Sequence, residues 1–187
     1  MPQLSIIVPA RNEVLNIISA AEKLESTVRA DFEIIIVNDH STDNTAKAAK
    51  GLAGKYANIR VVENQNRPSF VNALVCGISH VRSEIFVPVM ADLCDDPETI
   101  NKMYEKINEG YDIVAGSRYI GAGKRLGGSA LKAFFSSFMG KSLFFLIGIP
   151  THDIANAFKM YRKKILNGIL IESQGFEVSA EIPLKAY

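Results

Sequence analysis

The 187-residue sequence predicts an α/β fold, in which helices cover both faces of a mostly parallel central sheet. Short runs rich in Val and Ile alternate with helix-patterned segments of roughly 10 to 17 residues, which is typical of doubly wound sheets. No unit of the roughly 20 to 50 residues that solenoid proteins repeat is present. Hydrophobic residues make up 48% of the chain and charged residues 22%, as in a soluble globular domain.

Length and charge limit the classes of protein further. The chain is about one domain long, and its net charge of +1 does not favour nucleic-acid binding. Cys76 and Cys94 are the only cysteines, which indicates a reducing compartment and no disulfide framework. The N-terminal residues lack the pattern of a signal peptide, so a cytoplasmic location is expected. The oligomeric state is left open.

The first half of the sequence predicts three strands and the helices that follow them. Strands are predicted at residues 4–9, 32–37 and 59–63, where β-branched residues are dense. The first helix is predicted from about Asn12, and the third at residues 69–81. The inward face of the first helix is Val14, Ile17, Ile18, Ala21, Leu24 and Val28; that of the second is Ala46, Ala49, Leu52, Ala53 and Tyr56.

A fourth strand is predicted in the apolar run of residues 86–90, which ends in a cluster of carboxylates. Asp96 and Pro97 suit the N-cap and first position of the next helix, and Gly110 suits its C-terminal cap. Capping does not account for Asp92 and Asp95. Because ligands of open α/β sheets bind outside the carboxyl ends of the strands, we expect these two aspartates to act in a binding site.

After a fifth strand at residues 112–116, the pattern changes. A glycine-rich loop at 120–128 precedes an apolar segment at 133–149, a turn at 150–153 and a short strand at 158–161. The apolar segment suits either a core helix or a helix on a membrane surface. We therefore expect a single domain with a binding core at 1–118 and an extension at 119–187. The last residues lie within an amphipathic segment, so a longer parent protein is expected.

Polar residues follow three of the predicted strands. They are Arg11 and Glu13 after the first, Asn38 and Asp39 after the second, and Asp92 and Asp95 after the fourth. Acids at strand ends suit the hydroxyls of a ribose, the N–H groups of a base, or a divalent cation that bridges a diphosphate. Asp43 is interpreted as a turn and cap residue. Arg118 suits an anion clamp or an ordinary surface position.

Two common nucleotide-binding motifs are missing. The first strand leads into Pro9-Ala10-Arg11 without the glycines of a dinucleotide fingerprint, and no GxxxxGK[ST] loop occurs in the sequence. The three histidines are scattered and do not have the spacing of metal ligands. Dehydrogenase and P-loop functions are therefore excluded at the level of motifs.

Several motifs in order resemble family two glycosyltransferases with a GT-A fold, and within that family the branch of dolichol- and polyprenyl-phosphate sugar synthases. The motifs are VPARNE at 8–13, IIIVNDHSTDNT at 34–45, ADL at 91–93 with DPE at 96–98, GSRY at 116–119 and DIANAFKMYRKKIL at 153–166. The resemblance covers nearly the whole chain. It implies transfer of a sugar from a UDP- or GDP-linked donor to a polyprenyl phosphate, at the cytoplasmic face of a membrane.

The resemblance also implies roles for individual residues. The donor site would contain Pro9, Ala10, Arg11, Glu13, Asn38, Asp39, Ala91 and Asp92. Asp92 would meet the diphosphate and its Mg²⁺ or Mn²⁺, with Asp95 as a second candidate ligand. Arg118 would bind the acceptor phosphate, supported by Lys132 and Ser136. Asp153 matches the acid that opens the family's last motif, and Asp153 and Arg118 are the candidate catalytic residues.

The chain departs from the family pattern near the metal. Met90 stands where the family has the first acid of its DxD motif, Asn38 replaces one aspartate of a pair, and His40 replaces a glycine. Arg67 and Pro68 stand where the family has a Gly-Lys-Gly-like sequence. Losing a hard anionic ligand lowers metal affinity unless Asp95 or the substrate replaces it.

Three functions remain open. A polyprenyl phosphate is already anionic, so its transferase needs no strong base and is expected to invert the anomeric carbon. A transferase to a saccharide hydroxyl in cell-surface polysaccharide synthesis would need a base, for which Asp153 is the candidate. A non-catalytic module that binds nucleotide sugars is the third, motivated by Met90 and Asn38.

Overall fold

The structure, a computed structural model, describes residues 1–92, 94–116, 154 and 156–186. Its elements in chain order are β1 (Leu4–Ala10), α1 (Ile17–Thr27), β2 (Phe32–Asn38), α2 (Thr45–Lys55), β3 (Ile59–Glu63), α3 (Phe70–Ser79), β4 (Ile85–Pro88), α4 (Pro97–Asn108), β5 (Ile113–Ala115), β6 (Lys159–Arg162), a 3₁₀ helix (Lys163–Leu166) and α5 (Val178–Ala186).

The strands form one six-stranded sheet in the order β3-β2-β1-β4-β6-β5. The first four strands of this order are parallel, and β6 runs antiparallel to both β4 and β5. The prediction of a mostly parallel sheet in an α/β fold is therefore confirmed. The chain adds β2 and β3 on one side of β1 and then crosses to β4 on the other, so a topological switch point lies between β1 and β4.

Both faces of the sheet are buried, because successive side chains of a strand point to opposite sides. In β1, Leu4, Ile6 and Val8 pack into one core with α1 and α4, whereas Ile7 packs into a second core with α3 and α5. Gly77 brings α3 close to the sheet: a Cβ there would overlap Cγ2 of Ile7. This double burial explains why the strands appear in the sequence as continuous apolar runs.

The prediction that the first helix begins at about Asn12 was wrong. Residues 11–16 form a turn, in which Asn12 has a φ of 57° and the carbonyl of Glu13 accepts hydrogen bonds from the N–H groups of Asn16 and Ile17. The helix starts one turn later, so its buried residues are Ile17, Ala20, Ala21 and Leu24. Ile18, expected to face inward, is 43% exposed.

The prediction for the start of the fourth helix is confirmed. Asp96 is the N-cap of α4 and its carboxylate accepts hydrogen bonds from the N–H of Glu98 and the hydroxyl of Thr99, both at 3.2 Å. Pro97 occupies the first helical position. Gly110 follows the C-cap residue Glu109 with a φ of 112°, the left-handed conformation that ends many helices.

Membrane contact was expected from the apolar segment at 133–149, which lies outside the described residues. Within the described ranges, no helix has the length and hydropathy needed to cross a membrane.

Candidate functional site

The carboxyl ends of the parallel strands gather most of the predicted donor-site residues along one edge of the sheet. Ala10 of β1 pairs with Asn38 of β2, which in turn pairs with Glu63 of β3. On the other side of β1, Ile7 pairs with Pro88, the last residue of β4, and Ala91 follows that strand in a turn. Ala10 and Asn38, far apart in sequence, therefore lie side by side at the carboxyl ends of their strands.

The loop after β1 is braced against the loop after β2. Ala10 accepts a hydrogen bond from the N–H of Asp39 at 2.9 Å, and the Asn12 side chain accepts one from the N–H of Thr42 at 2.8 Å. The N–H of Glu13 donates to the hydroxyl of Thr45 at 2.8 Å. These bonds hold the two loops together at the sheet edge.

Left-handed backbone conformations cluster in the same place. Among the described residues other than glycine, only Asn12 and His40 have a positive φ, of 57° and 55°. Both lie at the sheet edge, where such conformations persist only when the surrounding contacts enforce them. His40 has such a contact, because its Nε2 is 2.7 Å from the carbonyl oxygen of Asn66 in the loop after β3.

Asp39 is buried, with 4% of its surface exposed, although the sequence predicts a functional role for it. Its carboxylate accepts a 2.6 Å hydrogen bond from the side-chain amide of Asn64, which is also buried. Asn64 was missed in the sequence analysis. Its position directly after β3, equivalent to that of Asp39 after β2, is the signal that would have found it.

A second pair of this kind lies beside the first. The side-chain amide of Asn38 donates to the Glu63 carboxylate at 2.6 Å. In both pairs a neutral amide orients a carboxylate without neutralising its charge.

Arg11 and Glu13 lie in the loop that follows β1. The Arg11 side chain is exposed, and the Glu13 carboxylate accepts a hydrogen bond from the side chain of Asn16 at 2.8 Å. Their proximity to the row of Ala10 and Asn38 agrees with the predicted donor site, although contact with a donor stays a prediction.

The loop after β4 carries the two candidate metal ligands. Asp92 is exposed and accepts a 3.0 Å hydrogen bond from the N–H of Cys94, which shapes the loop. Asp95 is half-buried and accepts a 3.3 Å hydrogen bond from the N–H of Met90. Of the two, Asp92 presents its carboxylate to solvent at the sheet edge, and Asp95 also closes the loop.

The surroundings of Cys94 disfavour its thiolate, the form in which a cysteine acts as a nucleophile. Burial of its thiol and the charges of Asp95 and Asp92 raise the pKa of Cys94 to about 12. The thiol therefore stays protonated at neutral pH.

The carboxylates at the carboxyl ends of the parallel strands make this region negative. Such a region suits a cation that binds the protein and a ligand at the same time. Among the described residues, Asp39, Glu63 and Asp92 make no ion pair with lysine or arginine. No group of three His, Cys, Asp or Glu side chains in the described ranges has the arrangement of a metal site. Mg²⁺ is often bound through one or two carboxylates together with substrate phosphates, and Asp92 fits that mode.

Asp43 has the structural role that the sequence predicts. Its carboxylate accepts hydrogen bonds from the hydroxyl of Thr45 at 2.5 Å and from the N–H of Thr45 at 2.9 Å. These hydrogen bonds lower the pKa of Asp43 below its usual value, and the bond from the Thr45 hydroxyl has the largest effect.

The predicted acceptor residues Arg118, Lys132, Ser136 and Asp153 lie outside the described residues. The described ends of their segments are joined, since the side-chain amide of Asn156 donates to the carbonyl of Gly116 at 2.7 Å. The N–H of Gly116 also donates to the carbonyl of Phe158 at 3.0 Å. Gly116 and Asn156 lie within the GSRY and DIANAFKMYRKKIL motifs, but the sequence analysis assigns neither residue a role.

Comparison with known protein families identifies one model that covers most of the chain. The model of glycosyl transferase family 2 matches residues 5–170.

Two curated relatives match nearly the whole chain. A dolichol-phosphate mannosyltransferase of Pyrococcus furiosus is 29% identical over 98% of the chain and 53% of the relative. An undecaprenyl-phosphate 4-deoxy-4-formamido-L-arabinose transferase of Shewanella sediminis is 28% identical over 98% of the chain and 54% of the relative. The chain thus spans about half the length of these relatives.

Solved structures share the fold. Glucosyl-3-phosphoglycerate synthase from Mycobacterium tuberculosis, in complex with Mn²⁺, UDP-glucose and phosphoglyceric acid, aligns with a TM-score of 0.76. The alignment covers 97% of the chain and 64% of the synthase at 19% identity, a level that supports the fold alone.

Proposed function

The chain belongs to glycosyl transferase family 2, and from this membership we propose that it transfers a sugar from a nucleotide-diphosphate sugar to a polyprenyl phosphate with inversion at the anomeric carbon. The observation that carries the donor half of the proposal is the set of carboxylates at the carboxyl ends of the parallel strands, Asp39, Glu63 and Asp92. The names of the two relatives, which contain dolichol phosphate and undecaprenyl phosphate, support the acceptor half.

The donor is proposed to bind along the carboxyl edge, with its nucleoside against the loops after β1, β2 and β3. The buried carboxylate of Asp39, held by Asn64, offers an oriented acceptor for N–H or O–H groups of the nucleoside. Pro9, Ala10, Arg11, Glu13 and Asn38 line this part of the edge.

Asp92 is proposed to face the diphosphate together with Ala91, and to hold Mg²⁺ or Mn²⁺ with Asp95 as a further ligand. When bound, the metal supplies positive charge to the diphosphate as it leaves. Asp92 is exposed, so its carboxylate is available for this role.

The proposed reaction requires little proton chemistry from the protein. An oxygen of the acceptor phosphate forms a bond to the anomeric carbon, while the bond from that carbon to the diphosphate breaks. Because the acceptor oxygen is already anionic, the contribution of the protein is positioning and electrostatic stabilisation. Arg118, Lys132 and Ser136 are proposed to bind the acceptor phosphate. Asp153 is proposed to help orient that phosphate.

A lipid acceptor implies contact with a membrane surface, and we propose that the enzyme acts at its cytoplasmic face. The apolar segment at 133–149 is the candidate for this contact.

Donor binding and transfer test the proposal directly. UDP-glucose and GDP-mannose are titrated into the protein with and without Mn²⁺, and transfer to undecaprenyl phosphate in detergent micelles is then measured. We expect one donor to bind more tightly with Mn²⁺ and Asp92→Ala to lower transfer by about 100-fold, the size expected for losing a charge-stabilising group. Asp31→Ala, which removes an exposed carboxylate at the opposite end of the sheet, is the matched control and should keep full activity.

Each alternative result has a definite meaning. Full activity of Asp92→Ala overturns the site assignment. Transfer to a saccharide hydroxyl but not to undecaprenyl phosphate overturns the acceptor. Donor binding without transfer to either acceptor overturns catalysis and indicates a nucleotide-sugar-binding module.

A further inference from the structure

Asn64 holds one of the two carboxylate oxygens of Asp39. The side-chain amide of Asn64 donates to Oδ1 of Asp39 at 2.6 Å, and each residue is only 4% exposed. The orientation of this amide is determined, because its oxygen accepts a hydrogen bond from the N–H of Asn66 at 3.0 Å. A flipped amide would turn its oxygen toward the carboxylate and lose both bonds.

Backbone hydrogen bonds fix the position of both members of this pair. The N–H of Asn64 donates to the carbonyl of Asn38 at 3.0 Å, and the N–H of Asp39 donates to the carbonyl of Ala10 at 2.9 Å. These bonds tie the residues that follow β2 and β3 to the neighbouring strands. The Asp39 carboxylate is therefore held at the sheet edge before any ligand binds.

The second carboxylate oxygen of Asp39 is left for a ligand. It accepts no hydrogen bond from a described residue, and it is not sealed from solvent. Two further acceptors in the loop after β3 are already in use. The carbonyl oxygen of Asn66 lies 2.7 Å from Nε2 of His40, and the carbonyl of Arg67 accepts from the side-chain amide of Asn72 at 2.8 Å. A second N–H on a ligand at Asp39 has to compete with these bonds.

Uracil and guanine make different demands on such a carboxylate. Uracil carries one N–H on its hydrogen-bonding edge, between two carbonyl groups, so a single acceptor oxygen satisfies it. Guanine carries two N–H donors side by side, one on its ring nitrogen and one on its exocyclic amine, and a carboxylate meets both by using its two oxygens. At Asp39 one of these oxygens is already engaged by Asn64.

We propose that Asn64 is a specificity-determining residue, which makes the donor site select uracil over guanine and therefore a UDP-sugar over a GDP-sugar. The inference rests on the proposed function, because that function brings the nucleoside to Asp39. With uracil, both oxygens of Asp39 and the amide of Asn64 have partners. With guanine, either the second N–H of the base or the Asn64 amide loses its partner, and a polar group left unpaired in a buried site is unfavourable.

Titration of the wild-type protein with UDP and with GDP, each in the presence of Mn²⁺, is the first test. The two nucleotides share the ribose and the diphosphate, so the difference in their dissociation constants reports on the base. Because an unpaired hydrogen-bonding group weakens binding by about tenfold or more, we expect the dissociation constant of GDP to exceed that of UDP at least about tenfold in calorimetry.

Asn64→Ala tests the origin of this preference. The substitution frees Oδ1 of Asp39, so both oxygens become available to the two N–H donors of guanine. The affinity for UDP should fall about tenfold because Asp39 is no longer oriented, whereas the affinity for GDP should not fall, so the preference shrinks to less than about threefold. A site that excludes guanine by size alone keeps its preference in this variant. If Asn64→Ala does not fold, Asn64→Leu, of similar size to asparagine and without a donor, takes its place.

Asn58→Ala is the matched control. The Asn58 amide also donates to a carboxylate, that of Glu25 at 2.9 Å, but Asn58 precedes β3 at the opposite end of the sheet. This variant should keep the wild-type dissociation constants for both nucleotides. A loss of preference in Asn58→Ala as well as in Asn64→Ala would show that the effect does not come from Asp39, and would overturn the assignment.

The results separate this inference from the proposed function. If the wild-type protein binds GDP as tightly as UDP or more tightly, or if Asn64→Ala keeps the wild-type preference, the role of Asn64 is wrong and the proposed function stands. If the wild-type protein binds neither UDP nor GDP in the presence of Mn²⁺, the donor site itself fails, and the inference fails with it.

Discussion

The two ends of the parallel strands carry carboxylates in opposite electrostatic settings. At the amino end, Glu33 of β2 pairs with Arg60 of β3 at 2.6 Å and accepts further hydrogen bonds from Ser5 and from the N–H of Arg82. At the carboxyl end of the same two strands, Glu63 of β3 accepts from the neutral side-chain amide of Asn38.

This difference separates a carboxylate that the protein pairs with a cation from carboxylates that it pairs with neutral amides. Burial alone would raise the pKa of Glu33, but hydrogen bonds from Ser5, Arg60 and Arg82 outweigh it and lower that pKa. Glu33 is therefore ionised and neutralised by the protein itself. Asp39 and Glu63 are oriented by neutral amides and make no ion pair with lysine or arginine among the described residues, so they are the carboxylates proposed to meet a ligand. The edge with amide partners is the one at which chemistry is expected.

Removing the arginine at the amino end should have the largest effect on stability. Arg60→Met leaves the Glu33 carboxylate, 6% exposed, without its cation. Because breaking a buried ion pair strands the remaining charge, we expect the free energy of unfolding to fall by about 3 kcal/mol, measured by urea denaturation. Donor affinity per folded molecule should not change.

Arg29→Met is the control for this comparison. Its ion pair with Glu98 has side chains 72% and 43% exposed, so the loss should stay below about 1 kcal/mol. Equal losses in the two variants would show that burial of Glu33 does not determine the effect.

Removing the amide at the carboxyl end should affect binding as well as stability. Asn64→Ala deprives the Asp39 carboxylate of its partner, and a lost buried hydrogen bond lowers stability by about 1 to 2 kcal/mol. Without this bond Asp39 is no longer oriented, so donor affinity measured by calorimetry should fall about tenfold, equivalent to about 1.4 kcal/mol. Asn66→Ala, which keeps the backbone bonds of the same loop, is the control. Unchanged donor affinity in Asn64→Ala would remove Asp39 from the proposed site.

The pH dependence of Glu33 is expected to be the smallest of these effects. Its pKa is lower in the folded state than the value of about 4.3 for a free glutamate. Its stabilisation is therefore complete above about pH 4.3 and is lost as the pH falls through the folded-state pKa. The difference in unfolding free energy between the wild-type protein and Glu33→Gln should narrow on acidification. A difference in unfolding free energy that stays constant from pH 7 to pH 3 would contradict the lowered pKa assigned to Glu33.

Local patterns were enough to predict several elements. The strands at 32–37 and 59–63 and the cap at Asp96 were found because β-branched runs and capping residues act through nearby backbone. The start of α1 was missed because Asn12 adopts a left-handed turn that depends on Thr42, 30 residues away in the chain. Helical periodicity contains no information on such a contact.

The sequence by itself determined the α/β class, the family and the positions at which the strands end in polar residues, because these depend on residue periodicity and short motifs. Only the tertiary structure decided which polar groups meet. Asn64 reaches Asp39 across 25 residues, Asn156 reaches Gly116 across 40, and Lys159 reaches Ser179 across 20. Strand order and register set these contacts, and the contacts distinguish a carboxylate that the protein neutralises from one that it pairs only with a neutral amide.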